Sequence, residues 1–177
     1  MKYILVITTW FLLTGASCKK STTQEDQLPP ITQTGANTFG CIVNGKVWIP
    51  KGYSGTGTPN PKISFDIYNG KNIFSINTYQ FENNNPAGFL SISLFDSIIS
   101  PGIFDHAEKM NFSVGWTKVL NNCFTQAFDT TVKKVGNVTI TRFDETNKII
   151  SGTFNCKFKM QMCDTIYITQ GRFDFKF

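Results

Sequence analysis

A chain of 177 residues with a formal net charge of +5 is long enough for one domain with its own core, and its Lys and Arg stand as singles and pairs rather than in a stripe. That spread speaks against a nucleic-acid partner, which draws basic residues onto one face. Seventeen Phe against a single His suit packed sheets and leave little provision for acid-base chemistry at neutral pH.

The chain opens with one Lys, an apolar run from Tyr3 to Leu13 and the tetrapeptide Gly15-Ala16-Ser17-Cys18. These are the n-region, h-region and small-residue cleavage site of a secretory signal. Small residues admit the extended backbone to a peptidase cleft, and the Cys18 thiol can then carry a diacylglyceryl group while the freed amine takes a further acyl chain such as palmitate. Several buried chains at ~0.8 kcal/mol per methylene make a lasting anchor. The apolar run is too short to span a bilayer, which needs about twenty residues. The expectation is a signal peptide over 1–17, removal of which leaves 160 residues outside the cytosol, lipid-anchored through Cys18 at the outer membrane. Lys19-Lys20 lacks the immediate acidic run that resembles a surface-export signal, so the periplasm-facing and cell-surface positions both stay open.

Residues 18–36 continue with Ser, Thr, Gln and a Pro pair and with few bulky apolar side chains. They read as the lipidated Cys and a flexible tether that cannot bury enough surface to fold, reaching roughly 20 to 25 Å. From Asn37 to Phe177 the hydrophobic period becomes two, which predicts a single antiparallel β domain. Phe39 to Val43 and Lys46 to Ile49 flank Asn44-Gly45, and Ile63 to Tyr68 and Asn72 to Tyr79 flank Asn69-Gly70, each a two-residue hairpin signal. Further strands are predicted at Phe89 to Phe95, Asn111 to Lys118, Phe124 to Phe128, Gly136 to Phe143, Ile149 to Phe158 and Thr165 to Phe177. In the last run Ile166 and Ile168 have the opposite parity to Phe173, Phe175 and Phe177, so a bulge near Gln170-Gly171 is expected, with Gly supplying a positive φ. Hairpins with one apolar face need a second sheet or a closed surface to cover it, which leaves a β-sandwich or an up-and-down β-barrel of about eight to ten strands.

With Cys18 spent on lipid, Cys41, Cys123, Cys156 and Cys163 remain, an even number in an oxidising compartment. A tight turn at Lys159-Met160 favours a Cys156–Cys163 disulfide, with Cys41–Cys123 by default; free buried thiols are the alternative. No Cys-x-x-Cys and only one His leave no metal site to expect, and no cofactor is implied. His106 lies between Asp105 and Glu108 in a loop-like run without a recognisable nucleophile motif, so it is read as an exposed His and no catalytic residue is assigned. The aromatic candidates for ligand contact are Tyr53, in the loop from Lys51 to Pro61, with Trp48 and Trp116, and beyond them Tyr68 and Tyr79.

Asn37 to Pro50, NTFGCIVNGKVWIP, is similar to the opening signature of an uncharacterised lipoprotein family from Bacteroidota. Gly136 to Thr141, then Ile150-Ser151-Gly152-Thr153-Phe154 and Ile168 to Asp174, resemble its later strands. The resemblance implies a lipid-anchored all-β domain and carries over no catalytic residue. Asp96-Ser97-Ile98, Asp129-Thr130-Thr131 and Asp164-Thr165-Ile166 resemble O-glycosylation sites of such bacteria. The leading functional expectation is a binding or accessory module for a glycan, a small ligand or a protein partner; a structural envelope protein comes second and a hydrolase third.

Overall fold

A computed structural model describes residues 23–52, 59–83, 85–96, 99–105, 110–116, 132–159 and 164–177. Ten strands run through them: β1 (Thr38–Val43), β2 (Lys46–Trp48), β3 (Lys62–Tyr68), β4 (Lys71–Glu82), β5 (Asn85–Asp96), β6 (Gly102–Asp105), β7 (Met110–Trp116), β8 (Lys133–Asp144), β9 (Ile149–Lys159) and β10 (Ile166–Lys176). They form two antiparallel sheets, one in the order β2-β1-β10-β9-β8-β6 and one in the order β3-β4-β5-β7. The architecture is an all-β sandwich and not a closed barrel.

Local chemistry explains the hairpins. Asn44 and Gly45 hold φ of 46° and 76°, and Asn69 and Gly70 hold 51° and 73°. Both central residues are left-handed, as a type I′ turn requires, and each turn joins paired antiparallel strands. The expected bulge in β10 is present between Ile168 and Gly171, and β1 answers it with a register shift between Gly40 and Ile42. The positive φ falls on Gln170, at 54°, rather than on Gly171. Gly171 is required for room: a Cβ there would stand 2.5 Å from both the ring and the carbonyl oxygen of Phe154. The extra residue turns Ile166, Ile168, Phe173 and Phe175 toward one core.

That core lies between the sheets. Phe74 and Phe112 of the smaller sheet meet Phe173 and Phe154 of the larger one at ring-centroid distances of 6.3 and 6.2 Å. Each fully buried Phe, Leu or Ile contributes about 1.5 to 3 kcal/mol, so the filled interior carries the fold. Strand β6 is an addition to the expected list, since a four-residue run with only Phe104 buried is too short to show a period. The expected strand at Phe124 to Phe128 lies outside the described residues.

The tether reading of 18–36 needs correction from residue 23 onward. Residues 23–37 form a strap over the outer face of the six-stranded sheet, beginning with a single 3-10 turn at Glu25–Gln27. Leu28 is buried, and the Pro29 ring sits where a Cβ on Gly40 would come within 2.7 Å of it. Polar contacts hold the rest. Arg172 donates to Glu25 at 3.1 Å, and Asp174 accepts from Thr32, Thr34, Gly35 and Ala36. Apolar content alone underestimated the segment because one buried carboxylate, not a row of hydrophobic side chains, secures it.

Candidate functional site

The end of the sandwich where β10 finishes presents three half-buried Phe rings. Phe65 comes from the inward face of β3, against Phe74 of β4 at 4.9 Å between centroids. Phe143 reaches the same space because β8 shifts register between Ile140 and Arg142, which converts an outward position into an inward one. Phe177 follows β10 and is held by its N–H, which donates to the Lys148 carbonyl at 2.7 Å. The Phe143 and Phe177 rings stack at 5.7 Å with planes 5° apart, and Phe65 closes on Phe177 at 4.5 Å.

The turn between β8 and β9 forms the rim. Asp144 accepts the Asn147 side-chain and backbone N–H groups at 2.8 Å each and the Arg142 guanidinium at 2.7 Å. Those bonds, Asn147 first and Arg142 after it, hold the Asp144 carboxyl well below the usual carboxylate range. The braced turn places Lys148 at φ 58° with its Nζ 5.4 Å from the Phe177 centroid, a cation–π contact. Phe65, Asn72, Ile99, Phe143, Glu145, Lys148 and Phe177 together line an open cleft of about 470 Å³. Its volume falls within the range of small-molecule sites. Its floor is aromatic, and its titratable lining residues are Glu145 and Lys148. A second, more open cleft of about 430 Å³ lies between the strap and the segments around Ile49 and Pro61, with prolines, Leu28, Ile49 and Phe39 interspersed with the polar Gln27, Asn37, Thr38 and Asn60.

The sequence candidates distribute differently. Trp48 is 2% exposed inside the core, so the expectation of ligand contact there is corrected to a packing role. Tyr79 packs against Phe81 at 5.7 Å between centroids with the planes tilted by 33°, and Tyr68 stands exposed at the end of β3. Trp116 ends β7, but its side chain lies outside the described residues, as do Cys18, Tyr53, His106, Cys123 and Cys163. The disulfide expectation is corrected at the two described cysteines: Cys41 and Cys156 are free, buried thiols. Both point into the sheet interior, where burial pushes each thiol up, only partly offset at Cys156 by the nearby Lys134 charge. Of the three glycosylation-like tripeptides, Asp164-Thr165-Ile166 is described throughout, with Asp164 exposed, Thr165 half-buried and Ile166 buried.

The Phe trio was not among the candidates. The only sequence signal was indirect: Phe143 lies one residue out of phase with Val138 and Ile140, which marks a bulge but not the rings it gathers. Compared with known proteins, the chain matches no family model, no curated protein and no solved structure at a significant level.

Proposed function

We propose that the chain is a lipid-tethered binding domain whose cleft at Phe65, Phe143 and Phe177 takes a small ligand with a flat apolar body and an anionic group. Residues 1–18 supply the address and the anchor. The observation that carries the binding reading is the gathering of three half-buried rings, two of them stacked, around an open cleft with Lys148 at its rim. Half-buried Phe rings leave apolar area that a ligand would cover, and the Lys148 ammonium offers a partner for a carboxylate or sulfonate. The flat, exposed Trp or Tyr platform that would favour a glycan is not what lines this cleft.

Calorimetric titration of the purified chain with naphthalene-2-carboxylate tests the reading. Saturable one-to-one binding is expected, weakened about tenfold by Phe143→Ala, in line with loss of an aromatic contact area. Lys148→Glu is expected to weaken it as well, without loss of the folded signal in circular dichroism. Binding unchanged in both variants, or confined to an oligosaccharide panel, overturns the assignment.

A further inference from the structure

The strap shows where on the sandwich the chain leading from Cys18 is seated. Its contacts run in order along β10: Glu25 on Arg172, Thr32 to Ala36 on Asp174, and Asn37 on Lys176. From Glu25 to Asn37 it therefore travels in the direction of β10, starting beside Arg172. Cys18 precedes Thr23 by five residues, a reach of at most ~18 Å when fully extended. That reach, from a point beside Arg172, lets an acyl chain on Cys18 bring either end of β10 to the headgroups, so the surface each end presents decides; opposite the aromatic cleft lies the Ile166 end.

The outer face of the six-stranded sheet carries an unusual group at that end. Tyr167 is 49% exposed and Val135 56% exposed, and both lie beside exposed Lys157 in the strand register. Lys157 Nζ sits 5.1 Å from the Tyr167 ring centroid. One step further, Lys133 stands directly opposite Lys159 across β8 and β9. Like charges placed opposite each other cost stability in an isolated sheet, and an anionic layer would relieve that cost. Among the described residues the acidic neighbours are Asp164, exposed just ahead of β10, and Asp105, exposed on β6 opposite Asn137; against Lys133, Lys157 and Lys159 they leave the group net positive by one charge. Lys19 and Lys20 follow Cys18 directly in the sequence and add two positive charges next to the proposed acyl group.

We propose that this patch, Tyr167 and Val135 with Lys133, Lys157 and Lys159, docks on the anionic phospholipid headgroups to which Cys18 tethers the chain. The proposal rests on the anchor reading and adds an orientation to it. Tyr and Val enter at headgroup depth, and the lysine stems follow the apolar surface while their ammonium groups meet phosphates.

Lysine footprinting tests it. The lipidated protein from its host membrane is incorporated into phosphatidylglycerol–phosphatidylethanolamine vesicles and, separately, into phosphatidylcholine vesicles and detergent. It is then labelled with a water-soluble succinimidyl ester and quantified by mass spectrometry. On anionic vesicles, labelling of Lys133, Lys157 and Lys159 should fall by roughly fivefold relative to exposed Lys62 and Lys71 of the other sheet. In about 1 M NaCl or on phosphatidylcholine the difference should vanish while the protein still floats with the vesicles. Equal labelling of the two lysine sets on anionic vesicles overturns the docking and leaves the anchor standing. Protection that persists in detergent assigns the cover to a second copy of the chain and also overturns it. Unacylated Cys18 and failure to float overturn the anchor reading, and the docking with it.

Discussion

Asp174 is 1% exposed and still ionised, because six hydrogen bonds converge on its two carboxylate oxygens. Burial pushes its carboxyl up, but donation from Thr32, Ser151 and the backbone of Thr34 and Ala36 more than offsets this and holds it well below the usual range. An unfolded Asp titrates near 3.9. With the folded value depressed, the stabilisation is complete above that pH and is lost as pH falls toward the folded value. Asp174→Asn would keep the shape but turn an amide toward N–H donors, and it is expected to cost about 3 kcal/mol at pH 7. Urea unfolding should also show a flatter dependence of stability on pH below pH 4 in this variant. A midpoint equal to the parent's at pH 7 would contradict the account. None of this was legible in the sequence, where Asp174 is one of 12 acids and nothing in its neighbours tells of donors some 140 residues away.

At the scale of elements, strands and hairpins were readable because their codes are local: alternation at i and i+2, and Asn-Gly at the two turns. The bulge in β10 was readable for the same reason, as a break of parity. The strap was not, since its Ser, Thr and Gln composition is that of a disordered leash until a carboxylate and a guanidinium of β10 are set beneath it. Strap and Asp174 therefore form one unit, and their energies should not add. A chain lacking residues 23–36 is expected to lose several kcal/mol, as backbone donors leave a carboxylate that had been paired. In that background Asp174→Asn should cost less than about 1 kcal/mol, measured by the same urea titrations in a double-mutant cycle. Equal costs in both backgrounds would show the two to be independent.

Across the whole molecule, β10 separates two ends of opposite character. One bears Lys133, Lys157, Lys159 and Tyr167; the other bears the Phe143–Phe177 stack. Eleven strand residues at ~3.3 Å each put the ends roughly 35 Å apart. A cleft at that distance should stay open to solvent when the protein sits on vesicles. Lys148 is accordingly expected to label equally on vesicles and in detergent, and naphthalene-2-carboxylate should protect it to the same degree in both; loss of labelling on vesicles alone would place the cleft against the bilayer. The amino-acid order by itself determined the antiparallel β class, the two Asn-Gly hairpins and the bulge, because each is settled by residues within a few positions of one another. Only the tertiary structure decided sandwich over barrel, the strand order, the seating of the strap, the free state of Cys41 and Cys156 and the gathering of Phe65, Phe143 and Phe177. Those depend on which distant strands share a register and which buried charge finds its donors, and no local period carries that information.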